Sequence, residues 1–172
     1  MRGWLLDTNI VSELRRPKPA AAVAEFVATQ PGEALFTTEV TFGEIRFGIE
    51  QLEDAGRRAD IHLWLDRTLR PLFGNRVLAI TEDVIVRWKA MVVEGQKRGH
   101  TFGQPDLFIA AIAALEDLVV VTRDTGEFVA AEVPAFDPWP SILHAHGKRT
   151  TITAPASAED VAEVILGMKR GR

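Results

Sequence analysis

Residues 118–126 read Leu118-Val119-Val120-Val121-Thr122-Arg123-Asp124-Thr125-Gly126. Four β-favouring apolar residues run without interruption and then give way to a polar turn carrying an acid. An unbroken apolar run of this length, bounded by turn residues, reads as a strand buried on both faces, the kind a parallel sheet requires. The turn at its C-terminal end holds Asp124, and this pairing of buried strand and trailing acid sets the search for others.

Working outward, the same pattern opens the chain: Trp4-Leu5-Leu6 leads directly into Asp7. Further strands are expected at residues 34–37, 77–80 and around Ala135-Phe136. Between them lie helical stretches. Residues 19–30 place Val23, Phe26 and Val27 on one face, and residues 41–52 repeat Phe42, Ile45, Ile49 and Leu52 as a stripe. A helix is expected over residues 59–69. Another runs from an N-cap at Thr81, with Glu82 and Asp83 in its first turn, to Lys97. A further helix opens at Pro105-Asp106. Strands alternating with helices predict an α/β domain, with a twisted parallel sheet covered by helices on both faces. In such folds polar site residues gather beyond the C-terminal ends of the strands, so Asp7 and Asp124 are expected on one edge, with Asp106 opening a helix there.

The last segment differs in character. His144-Ala145-His146-Gly147-Lys148-Arg149 reads as a linker, and Ser157-Ala158-Glu159-Asp160 as a capping box for a helix carrying Val161, Val164, Ile165 and Met168 on one side. The expected division is therefore 1–140 as the main domain and 141–172 as an extension with one amphipathic helix. That helix must pack on the body, a second subunit or a partner.

With 172 residues, 47% hydrophobic and 26% charged, the chain is long enough for one well-packed core and too apolar for wholesale disorder. It has no cysteine, which excludes disulfides, thiolate metal sites and a cysteine nucleophile. No signal peptide or membrane-spanning run is expected, so the chain is read as cytoplasmic with no membrane partner. The net charge of −4 argues against a simple DNA-coating protein. Short basic runs at Arg15-Arg16-Pro17-Lys18, Arg57-Arg58, Lys97-Arg98 and residues 169–172 read as solvated faces.

Four acids stand beside apolar residues: Asp7, Glu44, Asp106 and Asp124. Each has an ordinary explanation, Asp7 as a cap, Asp106 as a first-turn acid and Asp124 as a turn former. Glu44 is harder to explain so, because Val40, Phe47 and Gly48 share its helical face. Taken together they suggest convergence. Carboxylates about 4 Å apart repel by roughly 4 kcal/mol per pair at an effective dielectric near 20, a cost that a hard divalent cation offsets. An all-oxygen set points to Mg²⁺, or Mn²⁺, and nothing in the spacing suggests zinc.

These four segments, in this order, resemble the PIN-domain ribonucleases, specifically the VapC-type and FitB-like toxins. The likeness spans roughly residues 4 to 140 and includes Arg123-Asp124-Thr125-Gly126-Glu127-Phe128 and Phe136-Asp137-Pro138-Trp139. It implies a sheet of about four to five parallel strands and a metal held by Asp7, Asp106 and Asp124, with Glu44 acting on the attacking water. Thr8, Asn9 and Thr122 would support the site, with Glu127 competing with Asp124 for the fourth acidic place. Asp124, nearer the strand end, is the expected one. The implied activity is RNA hydrolysis leaving a 5′-phosphate and a 3′-hydroxyl. The implied partners are a cognate antitoxin, a second copy of the chain and, through the toxin–antitoxin complex, operator DNA.

Two other readings compete. One is a catalytically silent PIN-like module acting through antitoxin binding and promoter autoregulation, which the full set of acids disfavours. The other is a receiver-like or phosphatase-like domain, which would want a second acid where Asn9 stands. Among the remaining residues, His100 is read as a solvated loop histidine and Trp64 and Trp88 as packing residues. Arg123 is read evenly as a phosphate contact or the partner of a site carboxylate.

Overall fold

The computed structural model describes residues 1–153 and 156–170. Its sheet runs, in spatial order, through Val77–Leu78, Leu35–Thr38, Gly3–Leu6, Leu118–Val121, Ala135–Asp137, Ile142–Ala145 and Lys148–Thr151. The five parallel strands are β1 (Gly3–Leu6), β2 (Leu35–Thr38), β3 (Val77–Leu78), β4 (Leu118–Val121) and β5 (Ala135–Asp137). Strand β1 lies between β2 and β4, with Trp4 opposite both Leu35 and Val119.

Alternation along β1 and β4 divides the core between two faces. Trp4, Leu6, Val119 and Val121 point into one apolar layer and Leu5, Leu118 and Val120 into the other. The first layer is covered by α1 (Thr8–Leu14), α2 (Ala21–Thr29), α3 (Glu39–Glu50) and α4 (Ala55–Trp64). After α4 a π-helical segment, Leu65–Leu69, passes into the short α5 (Arg70–Phe73). The second layer is covered by α6 (Glu82–Lys97), α7 (Gln104–Glu116) and α8 (Gly126–Ala130). Within it Trp88 stacks on Phe108 with ring centres 4.9 Å apart, and in the first layer Trp64 packs at the margin of the core.

Some boundaries differ from those the pattern predicts. The helix expected over 59–69 begins at Ala55, because Asp54 accepts a hydrogen bond from the Arg57 backbone N–H at 2.8 Å and caps it there. The strand expected over 77–80 pairs only at Val77 and Leu78.

The larger correction concerns His144 to Arg149. This stretch is not a linker. It is most of an antiparallel hairpin, β6 (Ile142–Ala145) and β7 (Lys148–Thr151), which extends the sheet beyond β5. Its two-residue turn has φ of 51° at His146 and 70° at Gly147, the left-handed pair that a tight hairpin demands. Only Leu143 and Ala145 face inward, so the strand carries too little apolar pattern to announce itself. Helix α9 (Ala158–Arg170) then packs Val161 and Ile165 against the first core layer. Ser157 and Asp160 cap it reciprocally, Asp160 N–H donating to Ser157 Oγ at 3.1 Å and Ser157 N–H to Asp160 Oδ2 at 2.9 Å. The buried Gln30 ties this segment down, accepting from Trp4 Nε1 at 2.8 Å and donating to the Ala156 carbonyl at 3.0 Å. Of the basic run 169–172, Gly171 and Arg172 lie outside the described residues. No helix among the described residues is long and apolar enough to cross a membrane.

Candidate active site

Strand order reverses at β1. The chain leaves β1 to build β2 and β3 on one side, then returns to lay β4 on the other. The strands stay paired to their ends, but the connections after them run to opposite faces of the sheet, α1 into the first layer and α8 into the second, and at such a topological switch point a parallel sheet leaves a crevice.

Asp7 follows β1 directly and is both a cap and the most buried acid of the crevice, 5% exposed. Its Oδ1 accepts from the Thr8 backbone N–H at 2.7 Å. Its Oδ2 accepts from Thr122 Oγ1 at 2.8 Å and Asn9 Nδ2 at 3.0 Å. Thr122, fully buried at the end of β4, is the hub of this network: its oxygen also accepts from Asn9 Nδ2 at 2.7 Å and from the Asp124 backbone N–H at 3.1 Å. Asn9 in turn accepts from the Arg123 backbone N–H at 3.2 Å, which stitches α1 to the loop after β4. Asp124 is thereby held at the mouth, its carboxylate free of hydrogen bonds among the described residues.

Glu44 enters from the middle of α3, half-buried, and accepts a short hydrogen bond from the Thr8 hydroxyl. Asp106 sits in the first turn of α7, where the helix dipole favours a negative charge. Burial nonetheless pushes its carboxyl up to about 6, with further lifts from the charges of Asp7, Glu44, Asp124 and Glu127 in that order. Asp7 is also raised, chiefly by burial, against the opposing bonds from Thr122 and Thr8, and then by Glu44 and Asp124. The structure thus brings Glu44 and Asp124 within electrostatic reach of Asp7, and all three within reach of Asp106, on which Glu127 acts most weakly. Glu127 is occupied elsewhere, accepting from the Gly103 backbone N–H at 3.1 Å. No basic side chain contributes to lowering Asp7 or Asp106.

Among the described residues no three acids or histidines close into a ready-made metal-holding group. The donor chemistry still fits a hard divalent cation. The set is all carboxylate, the Asp106 and Asp124 oxygens have no hydrogen-bond partner among the described residues, and the mutual repulsion is of the kind a cation cancels.

Three features around the site refine the reading of the sequence. His100 is not a freely solvated loop residue: its ring packs edge-on against Phe102 at 4.4 Å, and its buried Nε2 lies 3.5 Å from Glu127 Oε2. Arg123 turns away from the acid cluster. Its guanidinium lies 5.1 Å from the Trp139 ring and faces Asp137, whose carboxyl is raised by burial and lowered in part by Arg123. Finally, Glu44 stands between two cavities. One, of about 490 Å³, is apolar and includes Val40, Phe47 and Phe108; the other, of about 650 Å³, includes Arg15, Arg16 and Arg57. No sequence signal distinguished these arginines from other surface charges.

Comparison with known proteins agrees with this geometry. The sequence profile of the PIN domain matches residues 4–133. Toxin FitB of Neisseria gonorrhoeae (strain ATCC 700825 / FA 1090) is 34% identical over 135 residues, covering 78% of this chain and 97% of that protein. VapC ribonuclease Y4jK of Sinorhizobium fredii (strain NBRC 101917 / NGR234) is 32% identical over 135 residues, covering 78% and 96%. In structure, FitAB bound to an IR36 DNA fragment superposes with a TM-score of 0.74 at 32% identity, covering 79% of this chain and 95% of that one. Shared fold, matched profile and relatives of this identity over nearly their whole length establish that the chain belongs to the PIN-domain family.

Proposed function

We propose that this protein is a divalent-metal-dependent ribonuclease and the toxin of a toxin–antitoxin pair. The observation that carries the reading is the crevice at the β1/β4 switch point, where acids from four separate segments meet: the charges of Glu44 and Asp124 raise the carboxyls of Asp7 and Asp106, which are lifted first by burial, and no basic group lowers either of the two. Such a cluster is costly unless a cation occupies it. Similarity to a named toxin and a named VapC ribonuclease gives the reaction class.

Asp7, Asp106 and Asp124 would hold Mg²⁺, or Mn²⁺. Such an ion supplies Lewis acidity at the scissile phosphate and makes water a better nucleophile near neutral pH. The chain's own residues do the rest. Glu44, fixed by the Thr8 hydroxyl, orients the attacking water and accepts its proton. Thr122 and Asn9 hold Asp7 in one rotamer, and Thr122 also fixes the backbone that carries Asp124. Glu127 stays outside this set, engaged with Gly103. We take residues 1–140 as the PIN unit and 141–172 as an extension whose hairpin and helix complete its sheet and core.

The proposed partners are RNA as substrate, a protein antitoxin, and a second copy of the chain. The similar FitAB structure is bound to DNA, which supports a toxin–antitoxin complex on operator DNA. The test is RNA cleavage by purified protein with Mg²⁺ or with chelator, beside Asp106→Asn. Cleavage is expected only for the parent protein with metal. Undiminished cleavage by Asp106→Asn, or in excess chelator, would overturn the reading.

A further inference from the structure

A polyanion has to approach this crevice against the field of its carboxylates, on a chain of net charge −4. Something must offset that repulsion at the approach, and the two cavities beside Glu44 differ sharply in this respect. The one containing Phe47 and Phe108 has no cationic lining. The other has three arginines and a single acid, Glu44.

We infer that this second groove, rimmed by Arg15, Arg16 and Arg57, is the subsite that binds the phosphate backbone of single-stranded RNA entering the acid cluster. The inference rests on the ribonuclease reading and assigns its substrate path. Thr8 and Glu44 line the groove and also belong to the acid cluster, so a strand lying in it runs directly onto the catalytic side chains. The arginines are exposed and come from two elements: Arg15 and Arg16 from the end of α1, Arg57 from the first turn of α4. The Arg57 guanidinium has no partner among the described residues. Arg15 is engaged only loosely, 5.9 Å from the Trp64 ring, whereas Arg16 is 3.1 Å from Glu13. Planar guanidinium groups match phosphate oxygens in pairs, and those not already spent on a carboxylate are free to do so. Between them the floor is apolar, with Ile45 and Ile61 buried beneath. At about 650 Å³ the groove is of ligand-binding size.

The experiment uses the full chain in the Asp106→Asn background, so that RNA is bound and not cut. Binding of a fluorescein-labelled, mixed-sequence single-stranded RNA oligonucleotide is followed by anisotropy across a sodium chloride series. Arg15→Ala/Arg57→Ala is expected to weaken binding on the order of tenfold, since charge-assisted contacts are lost. The slope of log affinity on log salt should flatten by about 1.4, at about 0.7 per phosphate contact on a single strand. Arg57→Lys should recover part of the affinity, and Arg98→Ala, whose arginine is paired with Glu132 far along the sequence, should change nothing. In the cleaving protein the same double substitution should raise KM and spare kcat. Arg57→Gln, at an exposed residue, keeps the test valid should the double variant fail to fold. Metal-dependent cleavage by the parent protein tests the ribonuclease reading separately. If the parent cleaves but the arginine variants retain parental affinity and salt slope, the groove assignment fails alone. It fails equally if they keep RNA affinity and lose only the antitoxin, which would give the groove to a protein partner.

Discussion

Asp106→Asn should destroy activity and, in metal-free buffer at neutral pH, make the protein more stable. Asp106 has an ordinary carboxyl value of 3.8 when exposed and about 6 in the fold, where burial and four acidic neighbours oppose its charge. A folded value above the unfolded one means the unfolded chain gives up its proton first. Stability is therefore intact below about pH 4, falls as pH rises from about 4 to 6, and stays reduced above. The unscreened interval corresponds to roughly 3 kcal/mol. Because the carboxylate is only half withdrawn from water, screening reduces this to about 1–2 kcal/mol. Asparagine keeps the shape and removes the charge, so Asp106→Asn should gain that amount at pH 7.5. For a chain of this size that is a rise in Tm of about 2–8 °C. Thermal unfolding in EDTA, followed by circular dichroism at pH 7.5 and again near pH 4, is the assay. The gain should shrink towards zero at the lower pH, and added Mg²⁺ at neutral pH should stabilise the parent more than the variant. A variant no more stable than its parent at pH 7.5, or a gain that persists unchanged at pH 4, would refute the claim that repulsion among the acids sets the energetics of this crevice.

Thr122→Val preserves shape but takes the hub from the Asp7 network, leaving Asp7 one donor short and the Asp124 N–H without its acceptor. A loss of about 2–4 kcal/mol is expected by urea denaturation, with activity falling even where the protein stays folded. Thr8→Val frees Glu44 from its anchoring hydroxyl; kcat should drop about ten- to a hundredfold with KM nearly constant in steady-state cleavage assays. Deleting residues 141–172 strips the hairpin from β5 and removes Ala156 from Gln30, uncovering the first core layer. The shortened chain should aggregate or melt well below the parent in a thermal scan, and an unchanged Tm would show that the extension is dispensable.

The parallel sheet could be read from the chain because β1 and β4 are buried on both faces, and burial on both faces leaves no choice but continuous apolar runs such as residues 118–121. Thr81 and Ser157 were legible as caps, since a cap acts on residues two or three positions away. The hairpin at His144 to Arg149 was not, because its pairing depends on β5 offering an open edge and its turn places a histidine, rather than the usual asparagine, at positive φ. Likewise the ordinary explanation of Asp7 as a cap and its place in the acid cluster are both true, a combination that no local pattern discloses.

By itself, then, the order of residues determined which acids follow apolar strands or open helices, and so which side chains were available at one sheet edge. The tertiary structure alone decided which of them share an electric field. Whether Asp106 is an unremarkable first-turn acid or a carboxyl held near 6 depends on burial and on charges from residues 7, 44, 124 and 127. It also decided that Arg15 and Arg57, separated along the chain by α2, β2 and α3, border the same groove while Glu127 turns to Gly103. Electrostatic energy depends on distance and dielectric in space, and separation along the chain specifies neither.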